Sequence, residues 1–344
     1  MKIKRRIEEI DIIKCIAIVM VVIGHTHCPG VLKNMCYSIH MPLFFIASGC
    51  TIGGGGGYFD GINEVICFIR KKIKSFYFPF LLFVVPICLL HNVFYELWLY
   101  EKDYDLKQYA VQIIRCFSFS IGTNEPWLQQ LWFLKTLFLA EVFYALIGYI
   151  TNKFKIKKLH IALVCIITLV FIRKGIVPHF IEVHILWPIK AWIFLEIGKL
   201  LIRNISKSPY ILISLIFLIS WFACGLMIHF SFQDSLGWHL VMQILLSVSG
   251  FICLYFFSSL IKKIDVVKQV TCRIGQDTLY IFFWHYIMFA IISASYSILF
   301  CKDCYNMIKY DMRLDCINWS VYVILSIILV EIGTLFYKYL INRK

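Results

Sequence analysis

Charge is what this sequence has least of. Asp, Glu, Lys and Arg make up only 16% of its 344 residues, while apolar residues make up 60% and the mean hydropathy is +0.79. Soluble domains carry about 25% charged residues, so a soluble globular protein is excluded. What remains is a polytopic membrane protein, because one anchor cannot account for apolar sequence spread over the whole chain. Acidic residues are the scarcer sign, 20 against 34 Lys and Arg. The resulting balance of +14 does not point to nucleic acid, because it is shared out among short connections. An A-x-A-like cleavage site is missing after the first apolar segment, where Gly24, His25 and Thr26 run into His27, Cys28 and Pro29. A removable signal peptide is therefore not expected. Internal repeats and a soluble domain are also lacking. The glycine run Gly53–Gly57 has no Lys-Ser/Thr after it, which excludes a phosphate loop and leaves a flexible linker.

What is there is a series of about ten apolar segments near the length needed to cross a bilayer. They lie at roughly 9–26, 36–53, 76–95, 128–150, 159–173, 184–202, 209–230, 238–260, 278–300 and 317–341. The second and fifth are short enough to be tilted, broken or partly re-entrant. Alternate connections are basic. One side holds Lys2 to Arg6, Arg70 to Lys74, Lys153 to Lys158, Arg203 and Lys207, Lys262 to Arg273, and Arg343 and Lys344. The other side holds Glu96, Glu101, Asp103, Asp105, Glu125, Asp234, Asp303, Asp311 and Asp315, with Lys102, Lys107, Arg173, Lys174 and Arg313 as its cations. This is the positive-inside pattern, and it places both termini in the cytoplasm. The fold class predicted is all-α: a single polytopic membrane domain over 1–344 with about ten transmembrane helices. Asn63–Ser75 reads as an interfacial helix with its cations beside Val65, Ile66, Phe68, Ile69 and Ile73. A short amphipathic helix is expected around Lys107–Phe119 in the long outside connection.

Cysteine is plentiful, 14 residues, but its placement does not suggest a metal site. Cys15, Cys88, Cys165, Cys224 and Cys253 fall within spans as small apolar residues. Cys28, Cys36, Cys301, Cys304 and Cys316 fall outside, where a disulfide can form. Cys301-x-x-Cys304 has no second C-x-x-C and no nearby histidines, so no metal is expected and a disulfide there stays open.

The stretch Asp11–His25, reading DIIKCIAIVMVVIGH, carries the chemistry. An ionisable residue in or at the end of a membrane helix is costly, which makes it a functional candidate. Lys14 and His25 are eleven positions apart, about three turns at roughly 100° per residue, so they share a helix face about 16 Å apart. One helix thus offers a cation on the cytoplasmic side and an imidazole beyond it. The plainer reading is a membrane anchor with a histidine at the headgroups.

Further segments decide between these readings. IHMPLFFIASG (Ile39–Gly49) follows His25. FIRKKIKSFYFPFLLF (Phe68–Phe83), LWFLKTLF (Leu131–Phe138) and IGQDTLYIFFWH (Ile274–His285) come later. With RIEEIDIIKCIAIVMVVIGH (Arg6–His25), these resemble the acyltransferase-3 family of membrane acyltransferases, in its sugar O-acetylase-like branch. The family's first-span signature of Arg or Lys, ten residues, then His is met by Lys14 and His25. Its basic Arg-x-x-Arg signature is met loosely, by Lys71-x-x-Lys74 and by Arg70. The resemblance implies an O-acyltransferase in a bacterial inner or plasma membrane. Acetyl-coenzyme A would be the co-substrate and the hydroxyl of a cell-envelope or exported glycan the acceptor. His25 is the expected general base, since imidazole titrates near neutral pH. Lys14, Arg70, Lys71 and Lys74 are expected to hold the donor as point charges on its phosphates. Direct transfer is favoured, because no serine or cysteine nucleophile accompanies His25.

Four more residues are expected at the substrate. His40, at the start of the second span, either orients the acceptor or sits wet at the interface. Glu141, midway along the fourth span, binds substrate or forms a structural ion pair. His285 lines the tunnel. Trp132 is either an acceptor contact or an interfacial belt residue. Glu196 and Lys190 are expected to pair with each other or with neighbours. A polysaccharide exporter or flippase, or a small-molecule transporter, is the alternative. Transport would favour ionisable residues clustered at the midplane on broken helices, whereas here they lie at the cytoplasmic rim and at the exit of the first span. The pattern specifies no oligomeric state.

Overall fold

The computed structural model describes residues 6–52, 59–119, 125–172, 175–205, 211–227, 231–300 and 302–342. Among them every regular element is helical. The helices are α1 (Glu8–Gly24), α2 (Gly30–Thr51), α3 (Ile62–Lys72), α4 (Phe78–Leu89), α5 (His91–Glu96), α6 (Leu106–Phe117), α7 (Trp132–Lys153) and α8 (Lys158–Phe171). They continue with α9 (Trp187–Asn204), α10 (Ile211–Met227), α11 (Trp238–Ile261), α12 (Asp265–Gln276), α13 (Thr278–Phe300) and α14 (Trp319–Asn342). Each apolar segment of the sequence is largely helical, but 76–95 is divided between α4 and α5, and the second segment belongs to a helix that already begins at Gly30. Among the described residues five stretches, not ten, are long and apolar enough to cross a membrane: Ile62–Leu89, Pro126–Lys153, Trp238–Ile261, Thr278–Phe300 and Trp319–Leu340. α8 and α10 are shorter apolar helices. α1, with 17 residues, carries Glu8, Glu9 and Asp11 in its first turn.

The interfacial helix expected at Asn63–Ser75 is not separate from the span that follows. One helical stretch runs from Ile62 to Leu89, with a π-helical turn at Ile73–Tyr77. Pro79 explains the turn. Its ring would clash with the Ser75 carbonyl in a regular helix and it has no N–H to donate, so a widened turn passes the proline without ending the helix. The device recurs at Glu182–Leu186, just before Pro188 of α9. Pro42 inside α2 is handled differently. The Ser38 carbonyl that it leaves without a helical donor accepts from Gln243 Nε2 at 3.2 Å. Asp265–Gln276, read from sequence as a charged connection, is the amphipathic helix α12.

The contacts divide the chain into two compact units. The first comprises Met1–Gly24, Pro29–Lys72 and Thr136–Gln276. At its heart is α1, whose Ile12, Ile13, Ala17, Ile18, Val21 and Val22 have no exposed surface. α2, α11 and α12 pack around it. α2 and α9 cross at two glycines. A Cβ on Gly49 would lie 2.0 Å from the Leu195 carbonyl oxygen, and one on Gly198 would lie 2.0 Å from that of Ile46. Small residues permit such backbone contact between membrane helices. Two cations hold this unit's ends. Lys190 of α9 donates to the carbonyls of Phe232 and Ser235, at 2.6 and 3.1 Å. Lys158 meets Glu196 at 3.4 Å, so Lys190 and Glu196 pair with neighbours and not with each other.

The second unit comprises His25–Cys28, Ile73–Lys135 and Asp277–Lys344. α6 starts with a capping box, in which Asp105 accepts from the Gln108 N–H and Gln108 returns a bond to the Asp105 N–H. It packs against α4, with Tyr109 meeting Asn92 and Tyr77 donating to the Phe117 carbonyl at 2.6 Å. α13 and α14 pack against each other. Tyr322 of α14 joins Ser293 of α13 (2.6 Å) and accepts from the Leu314 N–H (2.8 Å), fixing the connection before α14. The side chains of Cys301 and Cys304 and the Gly53–Gly57 run lie outside the described residues.

Candidate functional site

The expected site residues fall into two groups, one in each unit. In the second unit, α13 supplies three faces from one motif. Phe283 and Trp284 meet Phe83 of α4, with ring centroids 4.7 and 5.2 Å away, and Phe282 meets Phe133 at 5.3 Å. These contacts join three of the motifs picked out from the sequence. His285 and Tyr286 occupy the remaining side, and His25 is there.

His25 is half-buried. Its Nδ1 is 2.8 Å from the Tyr286 hydroxyl oxygen. Its ring centroid is 5.0 Å from that of Tyr286 and 5.5 Å from that of His285. His285 is fully buried, and its Nδ1 is 3.0 Å from the carbonyl oxygens of Ile281 and of Phe282. Carbonyls only accept, so Nδ1 carries the proton and the neutral ring presents Nε2 as an acceptor. That Nε2 makes no hydrogen bond among the described residues. Trp132 starts α7 against Phe133, half-buried.

The connection before α14 closes on His25. Arg313 Nη1 donates to the His25 carbonyl at 2.6 Å, while its Nε and Nη2 grip Asp311 at 2.8 and 2.9 Å. His27 lies between two carboxylates, with Nδ1 2.7 Å from Asp315 and Nε2 3.0 Å from Asp311. Burial works to raise the Asp311 pKa. The hydrogen bonds and charge of Arg313, with the bond to His27, outweigh it and hold the carboxyl below its usual 3.8.

In the first unit, Lys14 sits half-buried on α1, and its electrostatic neighbours are Asp11, Arg6, Cys50 and Lys72. Lys72 pairs with Glu141 of α7 at 2.8 Å, and Glu141 is 2% exposed. The second Glu141 oxygen makes no hydrogen bond among the described residues. Arg70 and Lys71 are exposed, as is Lys74, which belongs to the second unit. His40 differs from expectation. It is mid-helix in α2 and 3% exposed, not at a wet span start. The reason is that α2 begins at Gly30, directly after Pro29, and takes Lys33 and Asn34 into its first turns. Its Nδ1 bonds to the Cys36 carbonyl one turn back, with Tyr37 edge-on at 5.2 Å. Cys36 likewise lies buried within α2, not in a loop.

Sequence reasoning missed Tyr286, Arg313 and His27. Tyr286 directly follows a motif that was noticed, and that adjacency was the available signal. It also missed a separate buried cluster in the second unit. His91 Nδ1 is 3.0 Å from Glu125, its Nε2 is 2.9 Å from the Lys102 carbonyl, and Tyr104 stacks on it at 3.5 Å. Burial, followed by the Glu125 carboxylate, pushes the Tyr100 and Tyr104 phenols well above their usual range. Among the described residues no group of three or more His, Cys, Asp or Glu is placed to hold a metal ion.

A helical membrane protein with an imidazole pair beside a phenol is the class that fold and site define. The chain matches the acyltransferase domain of the acyltransferase-3 family over residues 7–338, and it belongs to that family. Acyl transfer, from an acyl donor to an acceptor, is therefore its chemistry. No curated protein and no solved structure matches it.

Proposed function

We propose that residues 1–344 form a single membrane domain of about ten spans, with both termini in the cytoplasm of a bacterial inner or plasma membrane. It moves an acetyl or other short acyl group from cytoplasmic acyl-coenzyme A to a hydroxyl of a cell-envelope or exported glycan. The observation that carries this reading is His25 with Nδ1 on Tyr286 and the His285 ring 5.5 Å away.

A sugar hydroxyl becomes a useful nucleophile only as its proton leaves. For His25 to take that proton at Nε2, Nδ1 must carry a hydrogen, and the Tyr286 oxygen is then its acceptor. This fixes tautomer and ring orientation without placing a second charge at the site. The acceptor oxygen attacks the thioester carbonyl and the tetrahedral adduct collapses. The C–S bond breaks, and the departing coenzyme A sulfur recovers the proton from His25. His285 Nε2 accepts a hydrogen bond from the acceptor, and His40 and Trp132 contact it. The donor's phosphates meet Arg70, Lys71 and Lys74, whose exposure suits a ligand arriving from solvent. Lys14 meets the donor further in, within the helix whose last residue, Gly24, precedes His25. Glu141 acts through Lys72, which it holds by an ion pair. The transport alternative draws no support from Glu141 or Lys190, since each is held by partners within the protein. Mass spectrometry of surface glycans tests the reading. Cells with the wild-type chain should carry O-acyl groups that cells with His25→Ala lack. Identical glycans in both would overturn it.

A further inference from the structure

Cys88 and Cys116 take no part in the proposed chemistry, yet they lie against each other. Cys88 is in the last turn of α4 and Cys116 in the last turn of α6. Their sulfurs are 3.4 Å apart and both residues have no exposed surface. The two helices are already tied beside this contact. Tyr77 bonds to the Phe117 carbonyl, Phe80 meets Phe119 with centroids 4.3 Å apart, and Asn92 bonds to both backbone groups of Tyr104 that face it. A disulfide needs about 2.05 Å between sulfurs, about 1.4 Å closer than these two stand.

We propose that Cys88 and Cys116 form a disulfide that clamps α6 to α4. The proposal rests on the sidedness read from the loop charges. Cys88 lies three residues before His91, where the chain turns into the long outside connection that contains α6. That side of the membrane is the oxidising one, where disulfides persist. The oxidant is a protein or small-molecule disulfide, and the reaction is thiol–disulfide exchange. One thiolate attacks a sulfur of that disulfide and displaces a thiolate, giving a mixed disulfide. The second cysteine then attacks the first, the S–S bond between Cys88 and Cys116 forms, and the oxidant leaves as its dithiol with both electrons. Two protons are released from the cysteines and two are taken up by the reduced oxidant. Because both sulfurs are buried in the folded protein, exchange takes place while α6 is still docking.

The test traps the thiols at the moment the cells are opened, before air can oxidise anything. Cells producing the full chain are treated with a membrane-permeant alkylating reagent in denaturant. The protein is then purified without reductant, digested and analysed by mass spectrometry. The expected result is a cross-linked peptide pair joining Cys88 to Cys116, two hydrogens lighter than the sum. In Cys88→Ala the expected result is quantitative alkylation of Cys116. Quantitative alkylation of both cysteines in the wild-type chain would overturn the disulfide. An engineered cysteine near Asp103 tells which premise failed. If an impermeant reagent labels it, the sidedness stands and only the disulfide is wrong. If it stays unlabelled until the cells are permeabilised, the topology is wrong and the disulfide falls with it.

Discussion

Two histidine clusters of the second unit use the same residue types to opposite ends. His91 has a carboxylate on one ring nitrogen, a carbonyl on the other and a tyrosine stacked on its face. Both nitrogens are committed within the fold, so the ring serves as a rivet between α5 and the connection after it. His285 commits only Nδ1, to two carbonyls, and its buried Nε2 has no hydrogen-bond partner among the described residues. His25 is half-buried beside it with Nδ1 at a phenol. A buried polar atom without a partner costs about 1–3 kcal/mol. The difference lies in the rings. Both His91 nitrogens are bonded while His285 keeps one without a partner beside a second imidazole, although the Glu125 carboxylate on His91 also has an oxygen with no hydrogen bond among the described residues.

Substitutions should therefore separate the clusters. The largest effect is expected at His25. Loss of a general base lowers turnover by about 100- to 10,000-fold, so His25→Ala should abolish measurable transfer while the thermal midpoint moves by no more than a degree or so. A collapse of the midpoint together with activity would return His25 to a structural role. His91→Ala should do the reverse. Breaking a buried pair on one side costs about 3–5 kcal/mol, so unfolding should move down by several degrees while turnover per folded molecule is kept. Next comes His285→Gln. It should cut the ratio of turnover to the acceptor Michaelis constant by about 2- to 10-fold, the worth of one lost hydrogen bond, with little effect on melting. Unchanged kinetics would make His285 a second rivet.

The smallest expected effects lie at the charged rim. Neutralising Lys71 or Lys74 removes an exposed ion pair to a phosphate, about 0.2–1 kcal/mol. The donor Michaelis constant should rise by up to about 5-fold, less so at high salt, with the maximal rate unchanged. Asp311 bears on pH. Its folded pKa is depressed below 3.8, so what it adds to stability is fully present above that value and is lost only as pH falls below it. Hydrogen exchange of residues 311–315 should thus show no Asp311-dependent opening between pH 8 and 5. An opening in that range that Asp311→Asn removes would contradict this.

What the sequence made legible follows from distance along the chain. Lys14 and His25 share one local stretch, which periodicity reads as one helix face, but α1 ends at Gly24 and His25 lies just past it. The helical character of the apolar segments was visible because apolar length is a local property, though among the described residues five stretches are long and apolar enough to cross a membrane. The capping box of Asp105 and Gln108 was visible in principle, since both partners lie within one turn. Lys72 and Glu141 are 69 residues apart, and Arg313 reaches His25 across 288. No periodicity carries such pairings, and loop charges hid Arg313 among the outside cations. α12 was missed for a related reason, because its charges resemble a loop until its other face is seen against α1. The π-turns were missed because the apolar segments 76–95 and 184–202 run through Pro79 and Pro188 without any change of composition to mark a widened turn. In a membrane, freed backbone groups still need partners, and a widened turn supplies them while letting the helix continue.

The central claim is that a cytoplasmic acyl-coenzyme A donor binds independently of the base that uses it. Calorimetric titration of acetyl-coenzyme A into purified wild-type, Lys14→Ala and His25→Ala protein tests this directly. The predicted result is binding by the wild type, close to normal affinity in His25→Ala with no turnover, and clearly weaker binding in Lys14→Ala, whose cation acts where the dielectric is lower. Absence of any coenzyme A binding by the wild-type protein would contradict the account.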